Sequence, residues 1–197
     1  MANKENFDNA ISNITGRKYY HGSKRVINGD YLQPRQAFNS VQNGVVLGAF
    51  ITSDIKHAKF FAINSCIGEG QTKKEGKKLY LERLAAHIRP NFFVYTVYET
   101  QGKEFIHDCG TEYYSTEPIK IAECEKYYTA KEIEDLGYEI YVLDEPLKSK
   151  TSYDSGNNIA VREEMEKAIK QHKFHRVDIA KIIELQSKNI FQREGKE

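Results

Sequence analysis

The amino-acid sequence predicts an α+β fold, in which antiparallel sheets are flanked by helices. Runs rich in aromatic and β-branched residues, which favour strands, follow one another through the middle of the chain. Their spacing leaves no room for the helical crossovers that join parallel strands. Segments of helical periodicity lie mainly before and after these runs, so helices and strands do not alternate.

Composition indicates one globular domain with a short appendage. The chain has 197 residues, of which 40% are hydrophobic, and its net charge of +1 argues against strong non-specific binding to nucleic acid. No apolar run approaches the roughly 20 residues of a membrane span, and the N-terminus lacks the apolar core of a secretory signal. The 3 widely spaced cysteines predict neither a disulfide framework nor a zinc site. We therefore expect a cytoplasmic protein.

The N-terminal part is predicted to pass from a helix into a strand. Three apolar residues recur at helical spacing, namely Phe7, Ile11 and Ile14, and Gly16 follows as a C-cap. The run KYYHGS predicts a strand that ends at Gly22, and Asn28-Gly29 predicts a turn before an extended piece.

The next segment is predicted to contain a strand and a helix. The run QNGVVLGAFITS predicts a loop and a strand, and a helix follows from Asp54 to about Cys66 with Thr52 or Ser53 as its cap. The charged, glycine-rich run GEGQTKKEGKK, residues 68–78, predicts a mobile basic loop.

Strands dominate the following part of the chain. LYLERLAAHI, FFVYTVYET and TEYYSTEPIKIAECEKY predict strands, the last interrupted by Pro118. TAKEIEDLG predicts a short helix between a Thr129 cap and Gly137, and YEIYVLDE predicts the last strand.

The chain is predicted to divide near its C-terminus. A polar segment, residues 149–158, is expected to link a main domain, residues 1–148, to a helical extension, residues 159–197. Two apolar stripes predict a pair of helices in this extension, which could dock a partner protein or pack on the chain itself.

The triplet His21-Gly22-Ser23 stands at the end of the first predicted strand. One interpretation is a strand-to-turn junction with a partly exposed histidine. The other is a ligand site, because a glycine lets a flat polar ligand approach the main chain and a histidine offers a directional hydrogen bond.

Two further groups of residues have the chemistry of a ligand site. Phe50 and Phe61 are either core residues or two walls for a flat ring, with the Thr52 hydroxyl beside them. Four acids follow in KEFIHDCGTEYYSTEP, namely Glu104, Asp108, Glu112 and Glu117. Glu112 stands where a strand begins, and such a carboxylate can hold a ribose hydroxyl and stabilise a positively charged sugar.

Taken together, these motifs resemble the ADP-ribosyltransferase superfamily, in its diphtheria-toxin and poly-ADP-ribose-polymerase branch. The segment YHGSKRVINGDYLQP is similar to the opening of bacterial rifamycin ADP-ribosyltransferases, and AFITSDIKHAKFFA and EYYSTEPIKI resemble later segments of those enzymes. The resemblance covers residues 19–121. It implies split antiparallel sheets with an NAD cleft between them, and NAD as the co-substrate.

The resemblance also implies roles for individual residues. His21 would bind the adenosine ribose, the Gly22 backbone would hold the nicotinamide carboxamide, and Ser23 completes the motif. Phe50 and Phe61 would pack against nicotinamide in place of the usual two tyrosines. Glu112 would match the catalytic glutamate in one alignment, whereas the rifamycin enzymes favour Asp108 or Glu104. No metal is implied.

The resulting expectation is a mono-ADP-ribosyltransferase that modifies a protein, nucleic acid or small molecule, as a toxin or a defence effector. The basic segments 73–78 and 170–176 would contact phosphates or simply be solvated. An NAD-dependent RNA 2′-phosphotransferase is the first alternative, with Arg17, Arg25 and Arg35 as phosphate ligands. A non-catalytic NAD-binding module is the second.

Overall fold

A computed structural model of the chain describes residues 14–39, 44–100, 102, 104–148 and 155–194. Its strands are β1 (Ile14–Ser23), β2 (Tyr31–Leu32), β3 (Arg35–Asn39), β4 (Gly44–Thr52), β5 (Gly68–Glu75), β6 (Lys78–Leu84), β7 (Asn91–Thr100), β8 (Ile106–His107), β9 (Glu112–Ser115), β10 (Ile119–Tyr128), β11 (Glu139–Leu143) and β12 (Phe174–Val177). Its helices are α1 (Ile55–Ile67), α2 (Thr129–Asp135), α3 (Ser155–Lys170) and α4 (Ile179–Glu194). The predicted α+β class is confirmed.

The described strands form two sheets. The larger is 8-stranded, in the order β2-β10-β7-β1-β4-β9-β8 with β3 paired to β4, and its pairings are antiparallel. The smaller is 4-stranded, in the order β12-β11-β6-β5. Within it β6 and β11 are parallel, so the expectation of antiparallel sheets alone was wrong. The chain segment between β6 and β11 passes through the larger sheet and α2. This segment is long enough for the crossover that two parallel strands need.

Helix α1 joins the two sheets through the main core. Five of its residues are buried there, namely Ala58, Ala62, Ile63, Cys66 and Ile67, together with residues of β6, β7, β11, α2 and α4. A second core lies on the other face of the larger sheet and contains Tyr19, while the next residue, Tyr20, packs against the main core. This alternation follows from the pleat of β1.

Gly16 lies inside β1 rather than at the end of a helix. Its φ of 82° coincides with the shift in register between Ile14 and Lys18 opposite β7. A glycine with positive φ suits a β-bulge as well as a helix C-cap, which is why the sequence favoured the wrong element. The remainder of the predicted N-terminal helix lies outside the described residues.

Residues 68–78 form a hairpin, so the predicted mobile loop was wrong. Strand β5 pairs antiparallel with β6 from Gly68–Leu84 to Glu75–Lys78, around a turn at Gly76. As an edge strand, β5 needs no apolar face to pair, because backbone hydrogen bonds hold it. Its polar composition therefore concealed the strand.

Both predicted helix caps differ in detail. The N-cap of α1 is Asp54, whose side chain accepts a hydrogen bond from the Lys56 amide. Thr52 lies two residues earlier, and its hydroxyl accepts a hydrogen bond from the Asp54 amide at 3.2 Å. Thr129 is the first residue of α2, and its hydroxyl donates to the Arg89 carbonyl instead of capping the helix.

The C-terminal part packs onto the main sheets. β11 is not the last strand, because β12 pairs with it antiparallel. Helix α4 places Ile182 in the main core, and the Gln186 amide donates to the Arg89 carbonyl at 3.2 Å. Both predicted helices exist, but α3 already begins at Ser155, inside the predicted linker, and residues 149–154 lie outside the described part.

Candidate active site

The candidate site opens where β1 and β4 separate. Tyr20 faces Thr52 across the two strands, and this is the one register pair that links the described parts of β1 and β4. β1 continues beside β7 to Ser23, while β4 is paired with β9 on its other side. The gap between the two strands exposes backbone and side chains of both.

His21 bridges this gap. Its Nδ1 lies 2.8 Å from the Phe50 carbonyl oxygen, and because a carbonyl only accepts, Nδ1 holds the proton. Burial lowers the pKa of His21; the bond to Phe50 opposes this shift and the charge of Arg35 adds to it. The ring is therefore neutral at neutral pH, and Nε2 is a hydrogen-bond acceptor.

Gly22 is in contact with α1. A Cβ on this residue would lie 2.0 Å from the Ala58 carbonyl oxygen and 3.1 Å from the Ala62 Cβ. The first requirement for glycine is thus the close approach of β1 and α1. The sequence interpretation, which assigned the missing Cβ to ligand access, did not foresee this contact.

Aromatic side chains form the apolar walls of the site. Phe50 is half-buried and stacks on Tyr114 of β9, with ring centroids 5.5 Å apart. Phe61 on α1 is 41% exposed and contacts His57 edge-on at 4.7 Å. Neither phenylalanine is a fully buried core residue, which leaves ring surface for a ligand.

A carboxylate lies at the end of the site where β9 begins. Glu112 stands opposite Thr52 in the β4–β9 register, and its Oε1 lies 3.1 Å from His57 Nε2. Asp108 lies close by, since its amide donates to the Glu112 carbonyl at 2.9 Å.

One cavity of about 320 Å³ gathers most of the predicted site residues. It is lined by Tyr20, His21, Gly22, Ala37, Phe50, Ile51, Thr52, Ala58, Phe61, Asp108 and Glu112. Glu104 and Glu117, the other two candidate acids, line a different cavity on the second-core side, with Tyr31 and Tyr98. The fold thus brings two of the four acids to the aromatic pair.

Two hydroxyls of the predicted set are already engaged. Thr52 is 3% exposed, and its hydroxyl donates to Thr111 Oγ1 at 3.0 Å while accepting from Asp54. Ser23 lies outside the 320 Å³ cavity, and its hydroxyl closes a turn with the Arg25 backbone. Both hydroxyls therefore fix the local backbone.

A second cavity, of about 720 Å³, adjoins the first and is basic. The two share His21, Ala37 and Phe50, and the second adds Lys24, Arg25 and Arg35. The loop with Lys24 and Arg25 is held in place because the Ile27 amide donates to the Tyr95 hydroxyl at 2.7 Å. An aromatic pocket with two carboxylates at its rim thus leads into a cationic one.

Cys109 lies beside the two acids but is not activated. Burial raises the pKa of the Cys109 thiol, and the nearby charges of Glu112 and Asp108 raise it further. A protonated thiol is a poor nucleophile and a poor metal ligand. One carboxylate oxygen of Glu112 also contacts His57. We therefore assign Asp108, Cys109 and Glu112 to the acidic rim of the cavity.

His57 is the main residue that the sequence interpretation missed. It lies in the first turn of α1, four residues before Phe61, so both side chains lie on the same helix face. The spacing was visible in the sequence, but its partner, Glu112, is 55 residues away along the chain. Only the pairing of β4 with β9 brings them together.

The comparisons with known proteins give no family. No family model, no curated protein and no solved structure matches the chain. Within the described residues, no helix is both long and apolar enough to cross a membrane.

Proposed function

We propose that the chain is a mono-ADP-ribosyltransferase that takes ADP-ribose from NAD. The observation that supports this most directly is the single cavity that combines His21, the Gly22 backbone, Phe50, Phe61 and Glu112. These residues come from four elements, and each offers a type of contact that one end of NAD requires. The function rests on this site rather than on the α+β class, which many activities share.

The two adjoining cavities fit the two ends of an extended dinucleotide. The half-exposed phenylalanine rings suit the flat nicotinamide ring, and neutral His21 can accept a hydrogen bond from a ribose hydroxyl through Nε2. Lys24, Arg25 and Arg35 supply positive charge for the diphosphate in the second cavity. Each of the two cavities, of about 320 and 720 Å³, lies in the range of about 300–1,000 Å³ that is typical of ligand pockets.

Glu112 provides the electrostatic part of the mechanism. NAD supplies a ribosyl carbon whose bond to the nicotinamide nitrogen breaks with the electron pair leaving on nicotinamide. The Glu112 carboxylate accepts a hydrogen bond from the 2′-hydroxyl of that ribose and stabilises the positive charge that develops on the sugar. The acceptor then forms the new bond to this carbon and releases a proton, so the site works largely by positioning.

The Glu112→Gln variant tests the proposal. We expect this variant to lower NAD-dependent transfer by about 10² or more while NAD still binds, because an amide keeps the shape but loses the charge. Free nicotinamide and labelled ADP-ribose on protein, RNA, DNA or small molecules of a cell lysate would be measured. Glu117→Gln is the matched control. Glu117 lies two residues after the end of β9 and lines the other cavity, so this variant should retain activity. Full activity of Glu112→Gln would overturn the assignment.

One observation also favours an RNA 2′-phosphotransferase as a second candidate. Arg25 and Arg35 line the same basic cavity and could hold a phosphate. Arg17, the third arginine of that hypothesis, is 76% exposed and lies 3.8 Å from Glu99, outside this cavity. Incubation with NAD and a 2′-phosphorylated RNA separates the two candidates, since loss of the RNA phosphate selects the second.

A further inference from the structure

The contact between His57 and Glu112 joins two elements across the mouth of the cavity. His57 Nε2 and Glu112 Oε1 are 3.1 Å apart, and the two side chains are 27% and 29% exposed. Such half-buried positions keep water from breaking the contact freely, yet leave the carboxylate open to a ligand. The geometry is that of a direct hydrogen bond.

Both partners are fixed by their surroundings. The His57 ring packs against Phe61 at 4.7 Å and Phe60 at 5.9 Å, which restricts its orientation. The Glu112 backbone is held on both sides, because its amide donates to the Cys109 carbonyl and its carbonyl accepts from the Asp108 amide. The torsions of the Glu112 side chain are left to be set by the bond to His57.

We propose that His57 is a positioning residue that holds the Glu112 carboxylate towards the substrate ribose, an inference that rests on the proposed function. By binding Oε1, His57 leaves Oε2 as the acceptor for the 2′-hydroxyl. The imidazole reaches the reacting atoms only through Glu112, so its loss disturbs the reacting geometry more than the binding of nicotinamide between the aromatic rings. A flexible glutamate would reach the same position only part of the time.

Three substitutions measured in the full chain test this role. We expect His57→Ala to lower kcat by roughly 10- to 100-fold, as misplacement of a reacting group does. KM for NAD should stay within about threefold, because uniform binding is retained. His57→Gln should recover most of the loss, since its amide can donate to Glu112 from a similar position. His175→Ala is the control, because His175 makes the same kind of contact, 2.9 Å to Asp144, away from the cavity.

A spectroscopic measurement tests the contact without any turnover. Long-range proton–nitrogen NMR spectra report the hydrogen bonding of each imidazole nitrogen in the intact protein. We expect Glu112→Gln to move the His57 Nε2 signal and Glu117→Gln to leave it in place. An unmoved His57 signal in Glu112→Gln would overturn the proposed contact.

The outcomes separate this inference from the proposed function. If the wild-type chain cleaves NAD and His57→Ala is equally active, or His57→Gln is as impaired as His57→Ala, the positioning role is wrong and the proposed function stands. If the wild-type chain neither binds nor cleaves NAD, the proposed function fails, and the positioning role fails with it whatever the NMR spectra show.

Discussion

His21 illustrates how a single residue is prepared by its surroundings. Its Nδ1 proton is used by the Phe50 carbonyl, and burial keeps the ring uncharged. The free nitrogen therefore accepts rather than donates. A ribose hydroxyl can supply the proton that this nitrogen needs.

The lowered pKa of His21 predicts a specific dependence of stability on pH. Below pH 6.5, the ordinary pKa of histidine, the unfolded chain binds a proton at this residue that the folded chain resists. The contribution of neutral His21 to the free energy of unfolding is therefore present above pH 6.5. It is lost as the pH falls through the lower pKa that His21 has in the folded chain. We expect the free energy of unfolding of the wild type to fall relative to His21→Asn as the pH decreases from 7.5 to 5.5, in urea titrations.

A comparison at pH 8 serves as the control for that series, since His21 is neutral there in both the folded and the unfolded chain. Parallel curves for the two proteins between pH 7.5 and 5.5 would contradict the assigned protonation state. Asn is the suitable replacement because its side-chain amide occupies the position of Nδ1 and can still donate to the Phe50 carbonyl.

At the scale of single residues, the sequence identified which side chains have the chemistry of a ligand site, but not which residues they contact. His21, Gly22, Phe50, Phe61 and the two cavity acids were all among the candidates, because unusual residues next to turns and strand ends are recognisable locally. The bond between His57 and Glu112 was not predictable, because it depends on strand pairing between distant segments. For the same reason the sequence could not show that Asp108 and Glu112 line one cavity while Glu104 and Glu117 line another.

Among the elements, helix α1 has the largest part in shaping the site. It presents Phe61 to the cavity and His57 to Glu112, and its other face is buried in the main core. Its distance from β1 is set at Gly22, where strand and helix backbones meet. The width of the cavity therefore depends on one missing side chain.

The Gly22→Ala variant tests this contact. Alanine in a strand would ordinarily be favoured over glycine by about 0.5–1 kcal/mol. Here the added Cβ would meet the Ala58 carbonyl oxygen at 2.0 Å, a backbone atom that cannot rotate away. We expect the variant to lose about 3 kcal/mol of stability in urea denaturation, near the upper end of overpacking costs.

The neighbouring Ser23→Ala variant is the control for Gly22→Ala. It removes only a hydroxyl that closes an exposed turn, so its cost should stay below about 1 kcal/mol. A Gly22→Ala protein as stable as the wild type would show that β1 and α1 are farther apart than described.

Elements with a clear apolar pattern were predicted well from the sequence. The strands around Phe50 and along β7, and helices α1, α3 and α4, bury one face, and burial leaves a periodic signal. Strand β5 lacks that signal because it lies at a polar edge, and Gly16 was ambiguous because bulges and helix caps use the same φ. Features that depend on backbone pairing and bury no apolar face are thus the ones that the sequence did not predict.

On the scale of the whole molecule, the C-terminal segment is part of the packed structure. β12 extends the smaller sheet, and Ile182 of α4 is fully buried in the main core beside α1. The helix that positions Phe61 and His57 therefore rests partly on residues beyond the predicted linker. The sequence predicted the helices there but not the strand between them, which is only 4 residues long.

The arrangement of the sheets explains how two pockets of different character meet. The separation of β1 from β4 opens an aromatic space with two carboxylates at its rim, and the loop after β1 adds Lys24 and Arg25 beside it. Neither pocket alone would suit a dinucleotide with one flat cationic ring and a diphosphate. The proposed function depends on both.

Isothermal titration of NAD into the purified full chain tests the central claim most directly. We predict saturable binding to one site by the wild type and by Glu112→Gln. Phe50→Ala should bind about 2- to 13-fold more weakly, because an aromatic contact of this kind is worth about 0.5–1.5 kcal/mol. The absence of any binding by the wild-type chain, or equal binding by Phe50→Ala, would contradict the assignment of this cavity to NAD.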